Sequence, residues 1–268
     1  FDNQKHAYLA ESSQFYLELR LLIPTIERVF SIYNSFRKEP VDITHLAEFQ
    51  HIEFEGKVNF EENILIFLGL LGAITKYLVS KNAINLSYFL SDQDIESLGL
   101  TFDPGNIERL TLREALAILY KDTHDSRYKE FTLRHFGSWE EVRVTELVGR
   151  HALLTEYPLM QIPMYHNQLK TDGGVPVAEN ADLVLFRYRE TIGSGTRIQD
   201  SNALAEKARV FNLPAVDYEP YLSTRNYPNY TRTSGFGLGW QRYVQWLLKL
   251  PAIWEAIHIP RGQYLPRP

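Results

Sequence analysis

The stretch Ser35-Phe36-Arg37-Lys38-Glu39-Pro40-Val41-Asp42-Ile43-Thr44-His45-Leu46-Ala47-Glu48-Phe49-Gln50-His51-Ile52-Glu53-Phe54 decides how the chain folds. Val29 to Phe36 reads as a strand, and Phe49 to Phe54 alternates apolar with polar residues as a half-buried strand does. A strand, the loop 40–48 and a returning strand put Arg37 and Phe49 on one sheet. An arginine there can meet a phosphate through bidentate, charge-assisted hydrogen bonds, and the nearby ring can stack on a purine.

Outward from this hairpin, helices and strands mix without a regular βαβ rhythm. Gln14 to Leu22, Glu61 to Ser80, Leu112 to Tyr120 (with Thr111 as N-cap and Glu114 three residues on), Ser201 to Asn212 and Trp240 to Leu250 (stopped by Pro251) have helical patterns. Asp182 to Tyr188 and Arg197 to Ile198 read as sheet around a glycine-containing turn. Gly235 to Gly239 reads as a tight glycine stretch entering the last helix. There is no repeat, low-complexity tract or Gly/Ser/Pro linker. The pattern predicts one compact α+β unit, a mostly antiparallel β-sheet flanked by helices.

Composition bounds the chemistry. The 268 residues carry a net charge of −5 and no cysteine, which excludes disulfides, thiolate zinc sites and thiol catalysis. That fits a reducing compartment, and a cytoplasmic location is expected. The best candidate for a membrane span, Ile64 to Val79, is interrupted by Lys76 and is too short, so no membrane association is expected. The histidines show no metal-ligand spacing. Phe1 rather than methionine opens the chain, which suggests a fragment or a processed form.

Two further constellations carry chemistry. In Gly235-Phe236-Gly237-Leu238-Gly239-Trp240-Gln241-Arg242 the alternating glycines let backbone approach a ligand, and Arg242 follows on the first turn of a helix. Asp182 and Glu190, followed by Ile192-Gly193-Ser194-Gly195-Thr196-Arg197, offer two carboxylates for a divalent cation, and an arginine that can clamp an acidic or amide side chain. Each alone reads as readily as a surface hairpin, a glycine turn or a salt-bridged acidic edge.

In this order, the three together resemble the class II aminoacyl-tRNA synthetases. Phe36-Arg37-Lys38-Glu39 with His45-Leu46-Ala47-Glu48-Phe49 is similar to motif 2, and residues 235–242 to motif 3. Ala7 to Glu18, Ile52-Glu53-Phe54-Glu55, Leu154-Thr155-Glu156-Tyr157-Pro158 and Glu190 to Arg197 resemble the aspartyl/asparaginyl branch. Leu17, where an aspartyl enzyme usually has lysine, and the Asp182-to-Glu190 spacing favour the asparaginyl side. The resemblance runs from about residue 7 to 261 and is loose between about 79 and 145. It implies that residues 1–268 are a class II catalytic domain, lacking motif 1 and an anticodon-binding barrel, and a homodimer. It implies ATP as substrate and Mg²⁺ as cofactor. By it, Arg37 holds the substrate carboxylate and the α-phosphate, Glu39 meets the adenine amino group, and Phe49 and Arg242 sandwich the ring. His45 lies near the terminal phosphates, Asp182 and Glu190 hold Mg²⁺, Ser12, Gln14 and Glu53 hold the α-ammonium of aspartate, asparagine or an analogue, and Arg197 reads its side chain. His258-Ile259-Pro260-Arg261 resembles a C-terminal stretch that ends near the ATP site.

Some positions depart from the family. Glu11 replaces the glutamine usual before the Ser-x-Gln turn, Gln241 replaces an acidic residue, and the loop Pro40 to Thr44 is short with no basic residue. The family loop offers arginines to the tRNA acceptor end. The expected acceptor of the activated amino acid is therefore ammonia or a small amine, with tRNA as the alternative and a non-catalytic regulatory paralogue as a third reading. Trp246, Trp254 and Tyr243 are expected in the core, and the Tyr-rich 218–230 as a loop beside the amino-acid pocket.

Overall fold

The computed structural model describes residues 9–38, 41–132 and 136–261. Among the described residues, nine strands and eight helices follow one another: helix α1 (Gln14–Arg20), strands β1 (Arg28–Phe36) and β2 (Glu48–Gly56), helices α2 (Phe60–Leu86) and α3 (Asp92–Leu98), β3 (Ile107–Thr111), α4 (Leu112–Thr123), α5 (Ser138–Val148), then β4 (His151–Thr155), β5 (Gln168–Asp172), β6 (Val175–Ala178), β7 (Asn180–Val184), β8 (Glu190–Thr196), α6 (Ser201–Val210), α7 (Ala215–Leu222), β9 (Ser234–Gly239) and α8 (Trp240–Leu247). Seven strands form one sheet in the order β1-β2-β9-β8-β7-β4-β3, and β5 and β6 make a separate ribbon. Every pair in the large sheet is antiparallel except β3 with β4. The expected α+β architecture is present.

The local signals explain most helix starts. Thr111 and Glu114 form the predicted capping box, with the Glu114 carboxylate accepting from the Thr111 amide at 2.8 Å and the Thr111 hydroxyl from the Glu114 amide at 3.2 Å. Asp200 caps α6 through the Ala203 amide at 2.7 Å. Helix α2 runs past Ser80 to Leu86, with non-helical backbone at Asn82. Its length and composition would let it cross a membrane. Instead it lies on the sheet with Phe67 and Leu71 fully buried against Phe236, Leu238 and Tyr243. Trp246 also packs on this core, whereas Trp254 is one-third exposed rather than buried.

Two sequence expectations change. The glycines at 193–195 and 235–239 are not turns: they lie inside β8 and β9. Spaced by two, Gly235, Gly237 and Gly239 fall on one face of β9, while Phe236 and Leu238 fall on the other and are buried in the core. Space on the glycine face is already taken: a methyl at Gly235 would run into the Glu55 carboxylate and the Gln14 amide, and one at Gly195 into His166. The Tyr-rich 218–230 begins as helix α7, which holds Pro220, and a short 3₁₀ turn follows.

Candidate active site

The register builds the site. Across four strands, one rung of the ladder reads Glu53, Gly237, Gly193, Asp182, and the next reads Glu55, Gly235, Gly195, Asn180. In the first rung the two glycines leave open floor between Glu53 and Asp182, while in the second Glu55, Gln14 and His166 fill the space that Gly235 and Gly195 leave. Over this floor lies one cleft with two chambers. The first is lined by Arg37, Thr44, His45, Phe49, His51, Glu190, Gly237, Gly239 and Arg242. The second, a cavity of 360 Å³, is lined by Ser12, Gln14, Glu53, Tyr157, Tyr165, His166, Asp182 and Arg197. Arg37, His51, Glu190 and Gly237 belong to both.

In the first chamber the Arg37 guanidinium lies 5.2 Å from the centre of the Phe49 ring. Arg242 donates to the Glu190 carbonyl oxygen at 2.6 Å, which fixes the first turn of α8 to the start of β8. Gln241, buried, accepts from the Gln50 amide at 2.8 Å and so ties the same helix to β2. Arg261 closes this end, its carbonyl accepting from the Ala47 amide, as the C-terminal resemblance implied. Glu39 lies outside the described residues.

In the second chamber Glu53 is gripped by serines. Ser12 Oγ donates to one oxygen at 2.7 Å, and the Ser13 amide and hydroxyl to the other at 2.9 and 2.8 Å. Gln14 turns its amide to the Phe54 carbonyl at 2.8 Å and to Glu55. Arg197, 3% exposed, forms a buried ion pair with Glu55 at 2.8 Å, and Thr233 Oγ1 adds a bond to Glu55 at 2.7 Å. Behind it, Glu18 pairs with Arg225 at 2.6 Å and accepts the Tyr221 and Tyr230 hydroxyls.

Asp182 and Glu190 stand together. A methyl built on Gly193 would lie 2.9 Å from Glu190 Oε1 and 4.0 Å from Asp182 Oδ1, so this glycine keeps open the space that both carboxylates face. Burial first, and then its neighbour Glu190, pushes the Asp182 carboxyl well above the usual range; burial raises Glu190 too, opposed by Arg242. Two half-buried carboxylates facing the same space suit a divalent cation, whose charge would offset both. No cluster of three or more acidic or histidine ligands occurs among the described residues. Two carboxylates suit an ion that takes its other ligands from phosphates and water.

Every predicted site residue that the structure describes lines this one cleft. Three further residues escaped the sequence reading. Glu55 and His51 were legible in principle, since they share the β2 face of Glu53 at a spacing of two. His51 Nδ1 lies 2.8 Å from Ser35 Oγ, and burial, then Arg37 and Arg242, pulls its pKa down to about 4, so the ring is neutral at neutral pH. Arg189, beside Glu190, carries no local signal.

The chain is similar to known proteins along most of its length. The family model described as tRNA synthetases class II (D, K and N) matches residues 2–263. Asparagine–tRNA ligase of Desulforamulus reducens is 30% identical over 262 residues, covering 96% of this chain and 58% of the relative. That of Thermus thermophilus is 29% identical and is covered to 60%. Asparaginyl-tRNA synthetase of Pyrococcus horikoshii complexed with asparaginyl-adenylate superposes with a TM-score of 0.88 at 28% identity, over 100% of this chain and 59% of that one. The chain thus spans about three-fifths of these relatives' length.

These relatives overturn the expected ammonia or amine acceptor, because they are tRNA ligases. The physical error lay in weighing one short loop and the net charge. Binding to nucleic acid sums phosphate contacts over a whole surface, and two-fifths of the relatives' length has no counterpart here.

Proposed function

We propose that the chain, which belongs to the class II tRNA synthetases of the aspartate, lysine and asparagine group, is their catalytic domain acting on asparagine: it forms asparaginyl-adenylate from ATP, for transfer to tRNA. The observation that carries this reading is the place of Arg37, on the boundary shared by both chambers. A carboxylate oxygen of the amino acid attacks the α-phosphorus of ATP, and the bond to the bridging oxygen of pyrophosphate breaks. Negative charges converge as this happens, and an arginine between the chambers can serve the carboxylate and the α-phosphate together. Phe49 and Arg242 hold the adenine, and His45 faces the terminal phosphates. Glu53, oriented by Ser12 and Ser13, receives the ammonium.

Glu55 supports an amide over a carboxylate as the substrate's side chain. It already balances Arg197, so the floor of the second chamber carries little net charge to attract aspartate. Pyrophosphate exchange measured with all the amino acids tests this. Asparagine should drive it best, aspartate weakly. Preference for a large apolar or a basic amino acid would sink the reading. Charging of total tRNA with labelled asparagine tests the acceptor.

Asp182 and Glu190 would hold Mg²⁺, which when bound neutralises phosphate charge. Because both carboxyls hold their protons above the ordinary carboxylate range, protons compete with the metal, and metal-dependent ATP affinity should strengthen as pH rises through that raised range. Glu190→Gln should weaken that affinity about tenfold and flatten its pH dependence. Unchanged Mg²⁺ titrations in a folded Glu190→Gln protein, followed by calorimetry, would rule the pair out.

A further inference from the structure

Beyond the groups assigned to ATP, a buried junction joins three segments that are far apart in sequence. Glu141, on α5 and 7% exposed, accepts through one oxygen from Arg189 Nε at 2.7 Å and from the Glu190 amide at 2.8 Å. The same guanidinium donates through Nη1 to Thr44 Oγ1 at 3.1 Å and to Ser138 Oγ. Thr44 and His45 line the first chamber together with Glu190 and Arg242. The Thr44 hydroxyl spends its proton on Asp42 at 2.8 Å, which leaves its lone pairs for Arg189.

Residues 41–45, Val-Asp-Ile-Thr-His, carry no lysine or arginine, so the loop brings no fixed positive charge to a triphosphate and Asp42 adds a negative one. Arg189, just before β8, places a cation against this loop at Thr44. Its charge is near enough to bear on both Arg242 and Glu190. A carboxylate that grips a guanidinium by two nitrogens fixes its direction, and a fixed donor costs less ordering when it makes a further bond.

We propose that Arg189, oriented by Glu141, is a positioning residue for ATP: it pins Thr44, and with it the loop 41–45, in the conformation that receives the phosphates. The inference rests on the ATP-binding reading of the first chamber. Loop order set before ATP arrives is not charged against ATP affinity. Without the pin, the loop must be ordered by ATP itself, and affinity for ATP falls while the amino-acid chamber is undisturbed.

The test compares wild type, Arg189→Met, Arg189→Lys and Thr44→Val. ATP dissociation constants come from calorimetry, and KM values for ATP and asparagine from pyrophosphate exchange. Arg189→Met should raise the ATP constants about tenfold and leave the asparagine KM within about twofold, the loss expected of one charge-assisted contact. Arg189→Lys should recover part of it. Thr44→Val, which spares the Glu141 contact and the fold, should shift ATP in the same direction. An equal rise for both substrates, or a lowered melting temperature with unchanged ATP affinity, would overturn the proposal. So would a Thr44→Val protein with wild-type ATP affinity. The calorimetric comparison does not depend on which amino acid is activated. If wild type binds ATP but activates no asparagine, the substrate assignment fails and the Arg189 comparison still decides.

Discussion

Arg37→Ala is expected to slow adenylate formation by at least about a hundredfold, the loss typical of a donor aimed at transition-state charge, and to leave the fold intact. The two halves of that expectation have separate grounds. Arg37 lies just past the end of β1 with its side chain exposed, so truncation leaves no large cavity. Its backbone amide, which donates to the Ala47 carbonyl at 3.0 Å and starts the hairpin, is unaffected by the change. The side chain faces Phe49 in the first chamber and lines the second together with Glu53. Its loss should therefore depress kcat for exchange more than it raises either KM, since the charge it meets develops as the α-phosphorus is attacked. Near wild-type exchange in a protein with an unchanged melting temperature would remove Arg37 from the mechanism.

Much of this cleft was legible in the sequence because its parts are local. The hairpin of β1 and β2 was carried by a period-two pattern, and the cap of α4 by residues within one turn. What was not legible depends on register. The alternation Gly235-Phe236-Gly237-Leu238-Gly239 suits a turn or a strand equally well when read alone. Only its pairing with β2 on one side and β8 on the other shows that the glycines clear the floor while Phe236 and Leu238 fill the core. Glu55 was quoted as part of a motif yet had no role, because its partner, Arg197, lies 142 residues away. Arg189 is the same case across 48 residues to Glu141. The acceptor was misread for a related reason: a charge count over one loop says nothing of surfaces elsewhere.

Glu55→Gln should destabilise the protein by about 3–5 kcal/mol, the range found when one partner of a buried ion pair is removed. Glu55 is 0% exposed and accepts from Arg197, Thr233 and Gln14 at once. The amide can keep some of these bonds, but it leaves the Arg197 charge buried without a counterion. Glu18 cannot stand in, since it is already paired with Arg225. A loss of this size lowers the melting temperature of a chain this long by roughly 10 °C. Stability and function can then be separated by a second change. In Glu55→Leu with Arg197→Met the whole pair is replaced by apolar side chains of similar reach, and no charge is stranded, so much of the lost stability should return. Asparagine activation should not return, because the residue assigned to read the side chain is gone. A Glu55→Gln protein that melts like wild type would show that the pair does not carry the charge balance inferred for it. A double variant no more stable than the single one would show that the bonds from Thr233 and Gln14, rather than the stranded arginine, account for the loss.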